Sequence, residues 1–181
     1  MRVTEFERPS GTSTRAPRSV TAPGVLLGIG MGGFVDGIVL HQILQWHHLL
    51  STTDRWGPET LPNLEANVLA DGVFHAATWI AVAVGLAMLW QVARDGTLLS
   101  SWRSLLGWML VGWGAFNLVE GVVDHHVLQI HRVRPAAQDP LLWDLGFLLI
   151  GVLLVGAGWL LQRSDRHPAR VPPTAPSTAA E

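Results

Sequence analysis

The chain of 181 residues has no cysteine and no lysine, and only 14% of it is charged. Without cysteine there is no disulfide, no thiolate nucleophile and no zinc ribbon, so any metal must be held by nitrogen and oxygen. A net charge of −2, with no basic block interleaved with aromatics, excludes a nucleic-acid partner. The sequence contains no HExxH and no Gly-x-Ser-x-Gly, which removes the usual metalloprotease and serine-hydrolase signatures. Gly28-x-Gly30-x-x-Gly33 matches a dinucleotide fingerprint in letters only, because that reading requires a preceding strand; Gly24, Gly28 and Gly32 at four-residue steps read instead as a smooth face for close helix approach. Met31, Met88 and Met109 are the sole internal methionines, too few for a soft copper(I) conduit.

What is abundant is apolar: 49% of residues, bunched into four runs at about 24–50, 66–92, 104–131 and 141–162. Each is long enough for the ~20 residues that cross a bilayer. The expected fold is all-α, a four-helix transmembrane bundle over 24–162 built of two duplicated helical hairpins. Residues 1–23, rich in Arg, Ser, Thr and Pro, and 163–181, containing "HPARVPPTAPSTAAE", read as disordered cytoplasmic segments. The first run far exceeds the core of a signal peptide and reads as an uncleaved span.

Arginine sets the expected orientation, since positive residues beside short spans stay in the cytoplasm. Nine arginines lie in the amino-terminal segment, the middle loop and the tail, against Arg55, Arg132 and Arg134 in the other two loops. Both termini are therefore expected inside, in a bacterial cytoplasmic (inner) membrane. Trp46, Trp56 and Trp143 fall near outer span ends and Trp90, Trp102 and Trp159 near inner ends, as an aromatic belt requires; Trp79, Trp108 and Trp113 are expected between helices.

That orientation gathers the polar residues. His41, His47 and His48 come late in an outward span, Asp71 and His75 early in an inward one, and Glu120, Asp124, His125, His126 and His131 late in the next. Asp144 begins the fourth. Seven of eight histidines thus share the outer half. "GIGMGGFVDGIVLHQILQWHH" from Gly28 also aligns with "GWGAFNLVEGVVDHHVLQIHR" from Gly112, pairing Asp36 with Glu120, His41 with His125, and His47 with His131. "LADGVF" and "LWDLGF" match weakly in the second and fourth spans. On ideal helices the stripe of Asn117, Glu120, Asp124 and His131 spans about 60°, and Asp71 and His75 stand one turn apart. The expected shape is a funnel opening outward, with carboxylates at its floor.

Imidazole with carboxylate is the donor set of zinc, non-haem iron, manganese or copper(II). The preferred site joins His41, His75 and His125, with Asp71, Asp124 and Glu120 as ligands or as groups orienting the imidazoles, and His47, His48, His126 and His131 as further donors. A divalent transition metal, zinc or iron before copper, is the expected cofactor. In an enzyme, Glu120 or Asp36 would be the proton acceptor for metal-activated water or oxygen chemistry. The substrate would be a small or lipid-proximal molecule reached from outside. Three rivals use the same residues: a haem b electron carrier held by His41 and His125, a proton or metal-ion transporter, and an assembly factor for a respiratory complex. A structural polar network is the bland reading, but such glue needs few groups. A homo-oligomer is left open beside contact with the lipid bilayer.

The stretches "DGIVLHQILQWHH", "NLEANVLADGVFHA" and "NLVEGVVDHHVLQIHRV" resemble a bacterial family of predicted membrane proteins called domain of unknown function 2243, over about residues 24–160. The resemblance implies a membrane protein in which Asp36, His41, His47, His48, Asp71, His75, Glu120, Asp124, His125, His126 and His131 matter, and it names no reaction. In the family pattern a histidine often follows the position of His131; here Arg132 stands there.

Overall fold

The computed structural model describes residues 19–94 and 102–164, and all regular structure among them is helical. Helix α1 (Thr21–Phe34) continues into a π-helical segment (Val35–Ile43); α2 is Leu61–Arg94; α3 (Trp102–Glu120) continues into a second π-helical segment (Gly121–Val127); α4 is Pro140–Ser164. Four helices, Thr21–Ile43, Leu61–Arg94, Trp102–Val127 and Pro140–Arg163, are long and apolar enough to cross a membrane. Most of their large apolar side chains face outward, and little of the core is aliphatic. That inversion is stable in lipid, where outward apolar surface carries no hydrophobic penalty and helices meet through small residues. The terminal segments expected to be disordered fall outside the described residues, apart from the stretch next to each span.

Glycine sets the packing order. α1 and α3 form the central pair, α2 flanks α1, and α4 flanks α3. Where α1 crosses α3, a Cβ on Gly28 would strike the Met109 carbonyl, and one on Gly112 would strike the Val25 carbonyl. Only hydrogen at both positions lets the two backbones touch. Gly24 and Gly32, one turn to either side, receive Trp108 and Trp113. Trp79, expected between helices, instead lies on the outer face of α2, 64% exposed.

The first and third spans end earlier than their apolar runs, and they end alike. Leu44 N–H reaches the Val39 carbonyl (2.8 Å) and Trp46 N–H the Leu40 carbonyl (2.9 Å). Eighty-four residues on, Leu128 bonds Val123 (2.7 Å) and Ile130 bonds Asp124 (3.1 Å). Gln45 (φ 48°) and Gln129 (φ 50°) take the left-handed conformation between these bonds. This is a helix stop of the Schellman kind, widened by one residue to suit a π-turn. His47, His48 and His131 therefore lie beyond the helices, on chain that folds back over the bundle end, and not on the helical faces expected for them.

Candidate metal centre

The π-turns decide where the ligands point. In an α-helix residues five apart stand about 140° from each other. Hydrogen bonding from i to i+5 instead brings such residues onto nearly one line. Asp36 and His41 are five apart, as are Glu120 and His125, and each pair faces inward from its own π-turn. Two residues past each left-handed glutamine, the returning chain delivers His47 and His131.

Four imidazoles thereby pack into one cluster: His41 on His47 (centroids 4.5 Å apart), His47 on His131 (4.7 Å) and His131 on His125 (4.8 Å). His41 and His131 are fully buried, and His47, His125, Asp36 and Glu120 nearly so. Two sets of donor atoms lie within metal-chelating reach, His41 with His47 and His131, and Glu120 with His125 and His131; the atoms of each set fall within 4.8 Å of one another.

The outer nitrogens fix the tautomers. His47 Nδ1–H donates to the Val133 carbonyl (2.8 Å) and His131 Nδ1–H to the Leu49 carbonyl (3.2 Å), leaving each Nε2 as a lone pair aimed inward. His41 Nδ1–H donates to Asp71 Oδ1 (2.9 Å). Asp71 is held in turn by His48 Nδ1 (2.7 Å), the Leu49 N–H (2.9 Å) and Gln42 (3.3 Å). Burial, then repulsion from His131, pushes the His47 imidazole down to about 3. Burial does the same to His131, to about 4, over the opposing pull of Asp36. Both are neutral at pH 7, as ligation requires.

The inward atoms make no well-formed hydrogen bond. Nε2 of His41, His47, His125 and His131, both oxygens of Asp36 and Oε2 of Glu120 are buried without a hydrogen-bond partner. His41 Nε2 faces Asp36 Oδ2 at 3.1 Å, and His131 Nε2 faces Glu120 Oε1 at 3.6 Å. Acceptor facing acceptor in a buried site costs several kcal/mol unless a cation or proton lies between.

The polar residues picked out in the sequence separate into three groups. His41, His47, His125, His131, Asp36 and Glu120 converge; Asp71 and His48 stand behind His41; His75, His126 and Asp124 lie outside both donor sets. His75, expected among the three central ligands, turns its Nδ1 to the Asp71 carbonyl one turn earlier (2.7 Å) and rests its Nε2 edge on Gly37. The Asp71 carboxylate points instead at His41, so the one-turn spacing does not make a two-ligand face. His126 does likewise with the Gly121 carbonyl (2.7 Å). Nor is the centre an open funnel, since the segments carrying His47 and His131 close over it.

Asp144 was not among the residues assigned to the site, yet it is fully buried beside it. It accepts from Arg132 (2.9 Å) and the Val133 N–H (3.0 Å), and its Oδ1 stands 3.8 Å from His125 Nδ1. Its signal was the faint match of "LWDLGF" to "LADGVF", which sets Asp144 opposite Asp71. Arg132 thus anchors the loop through Asp144.

No curated protein and no solved structure matches the chain. The model of the family described as Predicted membrane protein (DUF2243) matches residues 23–165, and the chain belongs to that family.

Proposed function

We propose that this membrane protein holds a divalent transition metal among His41, His47, His125, His131, Asp36 and Glu120, and acts as a metal-dependent membrane protein at the extracytoplasmic end of the bundle. The observation that carries the reading is the set of buried inward atoms without a hydrogen-bond partner, four Nε2 atoms with two carboxyls, with His41, His47 and His131 each held from outside through Nδ1. A polar network that only glued helices together would satisfy its own atoms. A backing carboxylate or carbonyl on the far ring nitrogen is how proteins orient histidines that ligate metal. All-nitrogen-and-oxygen donors favour zinc or iron, with manganese and copper(II) next. Ring contacts below 5 Å between successive imidazoles favour an ion over a macrocycle and set haem second. His131 belongs to both donor sets, so one ion or a close pair fits.

The outer placement rests on the arginine distribution, which puts the His-bearing end outside. A bound ion would supply Lewis-acid or redox chemistry, and the Asp36–Glu120 pair would accept a proton beside it. The two π-turns with their left-handed glutamines, 84 residues apart, also support a duplicated hairpin as the origin of the site.

Elemental analysis with an optical spectrum on detergent-purified protein tests the reading. Stoichiometric metal is expected in the wild type and in His75→Ala, and none in His131→Ala. A wild type that stays empty after incubation with zinc(II), iron(II) and manganese(II) overturns it, and a Soret band would replace the ion with haem.

A further inference from the structure

At the loop end of the bundle one guanidinium is charged and unanswered. Arg132 is paired with Asp144 (2.9 Å), but Arg134 makes no ion pair and no side-chain hydrogen bond among the described residues. It sits half-buried over two rings instead, 5.1 Å from the centroid of Trp46 and 5.0 Å from that of Trp143, which themselves meet edge to face at 5.0 Å. Arginine stays ionised and carries several N–H donors, so ring contacts alone leave its hydrogen-bonding capacity unused.

Both tryptophans also line a cavity of about 640 Å³ between α1, α3 and α4, walled further by Leu40, Trp113, Gly146 and Phe147. That volume is in the range of small-molecule sites. Along its margin Val35, Leu142 and Ile150 are exposed on the apolar surface that faces lipid, so the cavity opens toward the bilayer. Asp36 borders it, but both oxygens are buried and Oδ2 faces His41 Nε2 at 3.1 Å, so the wall an occupant meets is mainly apolar. The fold does not require this arrangement. Eighty-four residues from Trp46 and from Arg134 stand Ile130 and Leu50, and Ala70 precedes Asp71 as Trp143 precedes Asp144. One flank carries two rings and a guanidinium where the other has aliphatic side chains at all three places.

We propose that this cavity binds an anionic phospholipid, with its phosphate on Arg134 and an acyl chain lying against Trp113, Gly146 and Phe147. Three features select that ligand. Tryptophan and arginine at a span end lie at the depth of the headgroups. A guanidinium matches phosphate oxygens with paired N–H donors. The ring faces that could hold a choline or ethanolamine ammonium are already taken by Arg134, which leaves the negative part of a headgroup as the part to be bound. The proposal goes beyond the metal reading and does not rest on it.

The test uses protein in phosphatidylcholine nanodiscs doped with phosphatidylglycerol that bears a diazirine in one acyl chain, or with phosphatidylcholine bearing the same chain. Cross-links are mapped by mass spectrometry. The phosphatidylglycerol probe should label cavity residues about fivefold more than the phosphatidylcholine probe, one basic residue's share of the attraction to an anionic lipid. Arg134→Gln should remove that preference and Arg134→Lys should retain part of it. Arg55→Gln, which removes a guanidinium lying over Trp56 (4.9 Å) away from the cavity, should leave it unchanged. A Cβ at Gly146 meets nothing within 4 Å, so Gly146→Phe should fill the cavity and cut its labelling by both probes; Ile150→Trp repeats the block should Gly146→Phe misfold. Equal labelling of the wild type by the two probes overturns the proposal, since it means bulk acyl chains only. So does a preference mapped outside the cavity, or one that survives Arg134→Gln in protein that still elutes as a single species on size exclusion. Loss of the preference on adding soluble glycerol phosphate would make the ligand a free phosphate and overturn it as well.

Discussion

His131 offers its Nε2 to both donor sets while its Nδ1 is spent on the Leu49 carbonyl, and that division of labour recurs around the cluster. The far nitrogen is fixed by protein so that the near one is left as a lone pair. Asp71 does this for His41. Asp71→Asn keeps the shape but loses the charge and can present an N–H where an acceptor is needed, so metal affinity should fall about 10- to 100-fold, read by competition with a chelator. Burial also ties the cluster to pH. The folded values of about 3 for His47 and about 4 for His131 lie below the ordinary 6.5, so the unfolded chain binds more protons between these limits. Stability of the metal-free protein is therefore fully present above about pH 6.5 and lost as pH falls toward 4. Its melting temperature should drop between pH 7 and pH 5, and His47→Gln should flatten that slope; a melting temperature that is level or rises over this range contradicts the burial of neutral imidazoles.

Among the elements, the π-turns and their stops do what helical periodicity could not announce. On a regular α-helix Asp36 aligns with His47, and His41 falls on a neighbouring line. The observed π-turn aligns Asp36 with His41, and Gln45 then reverses the chain to return His47 to the same point. A non-glycine residue in the left-handed region costs of order 1–3 kcal/mol. Gln45→Gly should relieve part of that strain, raising the melting temperature without loss of metal, whereas the β-branched Gln45→Val should lower both. Thermal unfolding and metal content of the two variants check it; the same signs are expected at Gln129.

Across the whole molecule, four spans carry the centre at one end and hold together through glycine contacts with few buried aliphatic side chains. Asp54 precedes α2 and Arg94 ends it, so they lie at opposite ends of a 34-residue helix. Because the chain has no cysteine, single cysteines can be read without background. On intact cells a membrane-impermeant maleimide should label Asp54→Cys and spare Arg94→Cys until the cells are permeabilised. Reversed labelling would turn the proposed metal centre toward the cytoplasm.

The sequence by itself determined the solvent and the inventory. Lipid admits few side-chain types on the outside of a helix, so four apolar runs announced four spans, and Asp36, His41, Asp71 and Glu120 stood out because ionisable groups are costly there. Gly24, Gly28 and Gly32 announced a close crossing, since a missing side chain at every turn has few other uses. Tertiary structure alone decided which of those groups meet. The sequence ranks His75 ahead of His131 as a ligand, but His75 lies within an α-helix that supplies a carbonyl one turn back, whereas His131 lies on a loop whose path depends on Asp144, Arg132 and the far hairpin. Direction is a property of backbone geometry summed over distant residues. A π-turn of one extra residue changes it by more than the width of a ligand site, and no local spacing encodes that turn.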